Sequence, residues 1–369
     1  MTIFGFDGYI FLVSLLAGLL GALSGLGGGV VLVPVLVLAF GVDIHYAAGA
    51  SLVSVIATST ASASAYLRDG FSNVKIAMFL EIATTLGAMF GAYLAGRVNG
   101  SVIAVIFGLI LIYSALAGLG KHAEHVHADT TTPIARYLGL KGTYPEAFEQ
   151  KPYAPNHAGW GFAMMSVAGA LSGLLGVGSG ALKVLAMDRI MGLPIKVSTT
   201  TSNFMIGVTA CASAGVYLRR GYIDPVLSMP VVLGVVIGSL AGARLLPADI
   251  ERAIEIKIAL VLAFGVVVSC LVVAFGAVLF LMHHGQDQMQ FHVFKGEPLY
   301  LSNLPLLFAA LKDFKAIAIV QTGLIILIVT PLVRVLLTFL MFVRLKDTKF
   351  ACISLLVSII LLVALLGEN

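Results

Sequence analysis

The stretch GALSGLGGG at residues 21–29 returns as GALSGLLGVGSG at residues 169–180. Working outward from Gly27, pairing each position with the one 151 residues later gives identities at 19 of 68 positions through Leu94. Among them are Gly27/Gly178, Gly29/Gly180, Gly41/Gly192, Ser51/Ser202, Thr58/Thr209, Tyr66/Tyr217, Gly87/Gly238 and Gly91/Gly242. The extra residues Leu175, Gly176 and Val177 account for the shorter offset of 148 between the two GALSGL copies. The chain is a duplicated unit, and in apolar sequence that organisation points to transporter architecture.

Of 369 residues, 59% are hydrophobic and 11% charged, which excludes an ordinary soluble domain. Mean hydropathy is +1.04. Long apolar runs alternate with short charged connections, the pattern of a polytopic helical membrane protein, because each backbone amide in lipid must bond within its own segment. The short alternating segments of a membrane barrel are absent. The start, MTIFGFDGYI, has no basic region before its apolar stretch and reads as the first membrane element rather than a removable signal. Cys211, Cys270 and Cys352 lie far apart, with no C-x-x-C or Cys/His metal spacing, so neither a metal nor a cofactor is expected.

In the first unit, residues 8–40 are apolar but broken at Gly25-Leu26-Gly27-Gly28-Gly29, with arms of about 17 and 11 residues. A full crossing needs roughly 20. Helices are expected at about 45–67, 74–96 and 101–119. The second unit repeats this with a broken segment at 159–191, then 196–218, 225–246 and 253–282. A polar linker carrying His122, His125, His127 and His157 reads as mostly loop, and a loop at 283–313 leads to helices at about 315–343 and 350–366. The expected fold is an all-α polytopic membrane protein of two inverted repeats, each a Gly-broken re-entrant hairpin plus three transmembrane helices. Its parts are a first repeat (1–119), a cytoplasmic linker (120–158), a second repeat (159–282) and a C-terminal membrane extension (283–369).

The basic residues bear on that topology. With re-entrant hairpins, Lys and Arg fall 13 on the linker side and six on the other; with one crossing per broken segment the split is 11 against 8. The larger bias favours the inverted arrangement, with the linker cytoplasmic and both termini outside. Two full crossings per broken segment would give the same parity.

A Gly-rich break permits a tight turn. The second arm then opens with amide donors that lack intrahelical acceptors, at the positive end of the helix dipole. Hairpins entering from opposite faces would bring both tips to the midplane, where backbone N–H groups could hold a small anion. Candidate contacts are Ser24, Gly25, Gly27, Gly28 and Gly29 in the first unit, and Ser172, Gly173, Gly178, Ser179 and Gly180 in the second. The alternative is that these glycines only let helices pack closely. The helix after the second break opens Ser198-Thr199-Thr200-Thr201-Ser202-Asn203, of which Thr200, Thr201, Ser202 and Asn203 are candidates, together with Ser51 in the first unit. Such groups suit oxyanion contact, and equally capping and interhelical hydrogen bonds.

Lys183 lies five residues past Gly178, where the first unit has Leu32. An ammonium inside an apolar segment is costly unless it faces a wet cavity or a partner. One positive charge suits an anion site; snorkelling to the surface or pairing with Asp188 is the other reading. Gly87-x-x-x-Gly91 and Gly238-x-x-x-Gly242 read as close helix crossings. Glu81 is a candidate for proton coupling or for a buried pair, and Thr330-Pro331 with Arg334 suggests a polar contact between the extension and the main body.

GALSGLxGGG with a following helix ending in YLRxG, then GALSGLLGVGSGALKV and STTTSNFMIGVTA, resembles the TauE/SafE family of sulfite and organosulfonate exporters over about residues 8–275. The resemblance implies a secondary transporter, not an enzyme, that moves small anions across a prokaryotic plasma membrane. GLIILIVTPLVRV with FVRLKDTKF is similar to a small uncharacterised membrane family, which implies a fusion in which residues 253–282 serve both parts. The implied partners are a small anionic substrate and the lipid bilayer, with no nucleic acid; a homo-oligomer is left open. Two other classes compete. One is a sensor or assembly subunit that transports nothing. The other is an intramembrane hydrolase using Ser179, for which the histidines near expected membrane segments, His45, His283 and His284, lie only at their edges.

Overall fold

The structure, a computed structural model, describes residues 2–24, 27–66, 72–118, 132–146, 149–244, 253–287, 291, 298, 301 and 303–366. In the first unit, α1 (Ile3–Ser24) precedes the break and α2 (Gly29–Pro34) follows it, running into a π-helical stretch over Val35–Ala39. Then come α3 (Ile44–Tyr66), α4 (Val74–Ala95) and α5 (Gly100–Gly118). The linker holds α6 (Pro133–Leu138) and an antiparallel pair, β1 (Gly142–Glu146) and β2 (Glu149–Tyr153), in the register Gly142↔Tyr153. The second unit is α7 (Ala158–Leu175), α8 (Gly180–Leu185) with its own π stretch Ala186–Ile190, α9 (Ile195–Arg219), α10 (Pro225–Arg244) and α11 (Ala253–His284). The extension adds α12 (Leu304–Lys312), α13 (Ala316–Arg344) and α14 (Thr348–Leu366). The π stretch recurs in both units, although only the first has a proline before it, so Pro34 alone does not account for it.

Three expectations need correcting. The first arm is longer than the 17 residues anticipated: α1 has 22, about 33 Å of helix, enough to cross a bilayer. It starts early because its first amides are satisfied, Ile3 N–H by the Asp287 carbonyl (3.0 Å) and Phe4 N–H by the Gly285 carbonyl (3.0 Å). The linker is not mostly loop beyond residue 131. Thr132 caps α6, with Pro133 at its first turn and Gly139 closing it at φ 66°. His122, His125 and His127 lie outside the described residues. The stretch 283–313 is not all loop either, since Asn303 caps α12 by accepting from Leu306 N–H.

Both breaks fold as hairpins. A Cβ on Gly28 would lie 3.1 Å from the Ala17 carbonyl oxygen, two turns before the end of α1, so α2 starts back along α1. The open ends also close. Phe6 packs edge-on to Phe40 (centroids 5.4 Å apart), and Asn156 N–H donates to the Met191 carbonyl (2.8 Å). Helices α3 and α9 run antiparallel through the centre. His45, starting α3, packs at a tilt against Tyr222, just past the end of α9 (centroids 5.1 Å apart). At the other end, Thr201 Oγ1, near the start of α9, accepts from the Asn73 amide, past the end of α3 (3.1 Å).

The units exchange arms: α1 packs along α10, and α7 along α4. Glycines make both crossings close. A Cβ on Gly91 would run into the Ala170 carbonyl of α7, and one on Gly238 into the Leu15 carbonyl of α1. The extension lies against the same body, α13 on α11, α3 and α9, and α14 on α4 and α9. Among the described residues, α1, α4, α7, α10, α11, α13 and α14 are long and apolar enough to cross a membrane. Helices α3 and α9, at 23 and 25 residues, have the length but are more polar. Protein rather than lipid surrounds them, so their serines and threonines bear no lipid-contact cost.

Candidate functional site

The two hairpin tips meet against one pair of duplicated side chains. A Cβ built on Gly27 lies 3.5 Å from Val55 Cγ2 and 3.7 Å from Ile206 Cγ2; on Gly178 it lies 2.7 Å from Val55 Cγ1 and 2.9 Å from Ile206 Cγ2. Gly29 comes within 3.3 Å of Val177 Cα by the same measure. Gly27 and Gly178 hold φ of 78° and 74°, a left-handed turn that glycine adopts without a Cβ penalty. Ser179 follows at φ 47°, where the first unit has Gly28 at −63°.

Hydroxyls from the central helices cover the start of each second arm. Ser51 crowds Gly29, and Ser54 Oγ is 3.1 Å from a Cβ on Gly28. The duplicate of Ser51 does the same in the other unit, with Ser202 Oγ donating to the Gly180 carbonyl (3.3 Å). Ser51, Ser54, Ser172 and Asn203 are fully buried, and Ser179 is 6% exposed. The Oγ atoms of Ser51, Ser54, Ser172 and Ser179, and both amide atoms of Asn203, have no hydrogen-bond partner among the described residues. Leaving one such group unsatisfied costs roughly 1–3 kcal/mol. Ser51, Ser54 and Ser179 stand at the tips, while Ser172 lies one turn before the second break on α7 and Asn203 one turn before Ile206 on α9.

The other candidate residues are placed differently. Thr200 Oγ1 donates to the Lys196 carbonyl (2.9 Å) and Thr201 is taken by Asn73, so both hydroxyls serve the fold. Gly173 lets α7 approach α4, and its carbonyl accepts from Tyr217 Oη (2.9 Å). The side chain of Ser24, which ends α1, and the whole of Gly25 lie outside the described residues. Lys183 is fully buried, and its Nζ donates to Thr209 Oγ1 (2.6 Å), which in turn donates to Thr84 Oγ1 (3.2 Å). The ammonium is thus held by α9 and α4.

Two further charges stand beside it. Glu81 of α4 is fully buried, its carboxylate oxygens have no hydrogen-bond partner among the described residues, and it interacts electrostatically with Lys183 and Arg334. Arg334 of α13 is fully buried, with its guanidinium 4.1 Å above the Phe204 ring and Nη2 donating to the Phe204 carbonyl of α9. The contact between extension and body expected from Thr330-Pro331 and Arg334 is therefore made at the centre of α9. Ser54 was not among the sequence candidates. Its position one turn after Ser51 on the same helix is the signal that could have found it.

A multi-pass body of apolar helices around two polar central ones, with unpaired hydrogen-bonding groups at a double helix break, is the build of a membrane transporter. The family described as sulfite exporter TauE/SafE matches residues 10–273, and the chain belongs to it. A second family, a protein of unknown function (DUF1634), matches residues 258–366, so α11 lies in both matches. Among similar proteins, the probable membrane transporter protein YunE of Bacillus subtilis (strain 168) is 30% identical over 240 residues, 63% of this chain and 85% of its own length. The probable membrane transporter protein YdhB of the same organism is 27% identical over 240 residues, 64% of this chain and 88% of its own. A probable membrane transporter protein of Methanocaldococcus jannaschii, MJ0441, is 24% identical over 249 residues, covering 64% and 83%. No solved structure matches the chain.

Proposed function

We propose that this protein is a secondary transporter that exports a small anion, sulfite or an organosulfonate, held where the two hairpin tips meet. The observation that carries the reading is the set of buried, unpartnered groups on the elements that form that junction: Ser51, Ser54, Ser172, Ser179 and Asn203. Asn203 and the serine hydroxyls donate to the oxyanion, joined by the first amides of α2 and α8, which have no intrahelical acceptor. Lys183, hydrogen-bonded to Thr209 one side chain away, offsets the negative charge. The family name supplies sulfite as the first substrate to test.

Inverted repeats underlie the cycle in this reading. Support comes from the antiparallel α3 and α9 and from hairpins that open beside opposite ends of that pair, at Phe6/Phe40 and at Asn156/Met191. Rocking of the exchanged pairs α1–α10 and α4–α7 about the fixed junction would open it alternately to each side. In this reading the linker is cytoplasmic, as the Lys and Arg bias suggests, and the membrane is a prokaryotic plasma membrane, as the family resemblance implies.

The test is sulfite flux in proteoliposomes containing the full chain. Ser51→Ala combined with Asn203→Ala is expected to slow initial flux at least tenfold while the protein stays monodisperse, since hydrogen bonds to a charged group contribute roughly 1.5–3 kcal/mol each. Lys183→Ala is expected to slow it as well. Wild-type flux in the double variant would overturn the assignment of this junction.

A further inference from the structure

We infer that Arg334, delivered by the C-terminal extension, is an anion-binding residue of the transport path, with Glu81 a neighbouring carboxylate whose charge opposes the anion's. The inference rests on the anion-transport reading above and adds to it a residue from outside the duplicated unit.

Three observations meet here. First, Arg334 is the one charged residue between Lys315 and Arg344 in a 29-residue apolar helix, and it is fully buried against α9. Second, its hydrogen bonding is incomplete: Nη2 donates to the Phe204 carbonyl, while Nε and Nη1 have no partner among the described residues. A guanidinium presents N–H donors on a rigid plane that bind carboxylate and phosphate oxygens in pairs, so buried donors left unused on either side of Nη2 leave capacity for an oxyanion. Third, the charges nearby do not balance. Lys183 and Arg334 are two cations, Glu81 is one carboxylate, and all three are fully buried and near enough to act on one another electrostatically. With all three ionised the cluster carries one net positive charge in the membrane interior, where an uncompensated charge is costly. A monovalent oxyanion is the ligand that completes both the charge and the hydrogen bonding.

The position fits the rest of the site. Arg334 contacts α9 at Phe204, the residue after Asn203, and its Nη2 lies 3.8 Å from a Cβ built on Gly207. Ser59 joins the central helices at the same turn, donating to the Asn203 carbonyl (2.7 Å) and accepting from Gly207 N–H (2.9 Å). An anion leaving the hairpin tips along α9 therefore meets the fork within about one helical turn.

The test uses the purified full-length chain in nanodiscs, with sulfite and methanesulfonate as probes. Apparent affinity is read from anion-dependent thermal stabilisation, and flux from proteoliposomes. Arg334→Gln is expected to weaken both probes at least tenfold, and Arg334→Lys, which keeps the charge but not the fork, to fall between the two. Glu81→Gln, which removes the competing carboxylate, is expected to tighten binding, an effect that a purely structural role for the cluster would not give. Should Arg334→Gln fail to fold, Glu81→Gln decides alone. Unchanged or weaker affinity in Glu81→Gln, or wild-type affinity in a folded Arg334→Gln, overturns the inference. If Ser51→Ala/Asn203→Ala loses the probe while both cluster variants keep wild-type affinity, this inference fails and the hairpin site stands. A wild-type chain that neither binds nor moves either probe overturns both.

Discussion

Ser179 occupies a backbone conformation, φ 47°, that its duplicate Gly28 does not need and that serine adopts only at a cost. A side chain in the left-handed region costs roughly 1–2 kcal/mol, and a buried hydroxyl without a partner adds to that. We therefore expect Ser179→Gly to stabilise the unliganded protein by about 1 kcal/mol, read as a higher unfolding temperature in detergent. A lower temperature would mean that the hydroxyl stabilises the tip. Gly178→Ala should act the other way, because its methyl would fall 2.7 Å from Val55 Cγ1 at φ 74°. Such strain and unpaired polarity persist at functional positions when the surrounding fold holds them in place.

At the scale of elements, two crossings and one latch carry testable weight. Gly91 and Gly238 stand where α4 meets α7 and α10 meets α1, against the backbone carbonyls of Ala170 and Leu15. Gly91→Val or Gly238→Val should each destabilise by roughly 1–3 kcal/mol or more, because the obstacle is backbone and cannot rotate away. Equal thermal stability in both variants would show that the helices slide apart freely. The turn between α13 and α14 is tied to α4 by Asp347 accepting from Lys75 Nζ (2.7 Å), and that bond holds the Asp347 carboxyl below its usual range. A lowered carboxylate pKa contributes stability that is present above the ordinary value near 4 and is lost as pH falls through the folded-state value. Below pH 4 the wild type should thus lose its small advantage over Asp347→Asn. Both partners are partly exposed, so the difference is modest and fades with salt.

At the scale of the molecule, the extension is a structural part of the transporter body. It covers α3, α9 and α11, and the Cys211 thiol of α9 donates a hydrogen bond to the Ile328 carbonyl of α13 (3.1 Å). The 240 matched residues make up 85% of YunE, and the remainder of that relative is too short to hold both α13 and α14, of 29 and 19 residues. Both helices lie beyond residue 273, where the match to the exporter family ends, and the pair brings an added buried cation. Helices that insert independently can assemble afterwards by packing alone. Residues 1–287 and 288–369 expressed as two polypeptides are accordingly expected to co-purify from membranes; separate elution would show that the extension is only tethered.

Local pattern carried much of this. The duplication, the glycine breaks, the crossing glycines Gly87, Gly91, Gly238 and Gly242, and the family resemblance are written in neighbouring residues with a fixed period. Buried amides must be satisfied within each lipid-exposed segment, so sequence alone determined a helical, multi-pass, twice-built chain. Tertiary structure decided the rest. It set the early start of α1, where Asp287 and Gly285 supply acceptors some 280 residues away. It separated Asn203, whose amide atoms have no partner among the described residues, from Thr200, Thr201 and Ser202, whose hydroxyls are used in the fold, although the four are consecutive. It also brought Arg334 to Phe204, 130 residues upstream. The reason is physical: a hydroxyl or a guanidinium has the same local chemistry wherever it stands, and only the partners that packing brings within about 3 Å determine whether it is spent on the fold or left for a ligand.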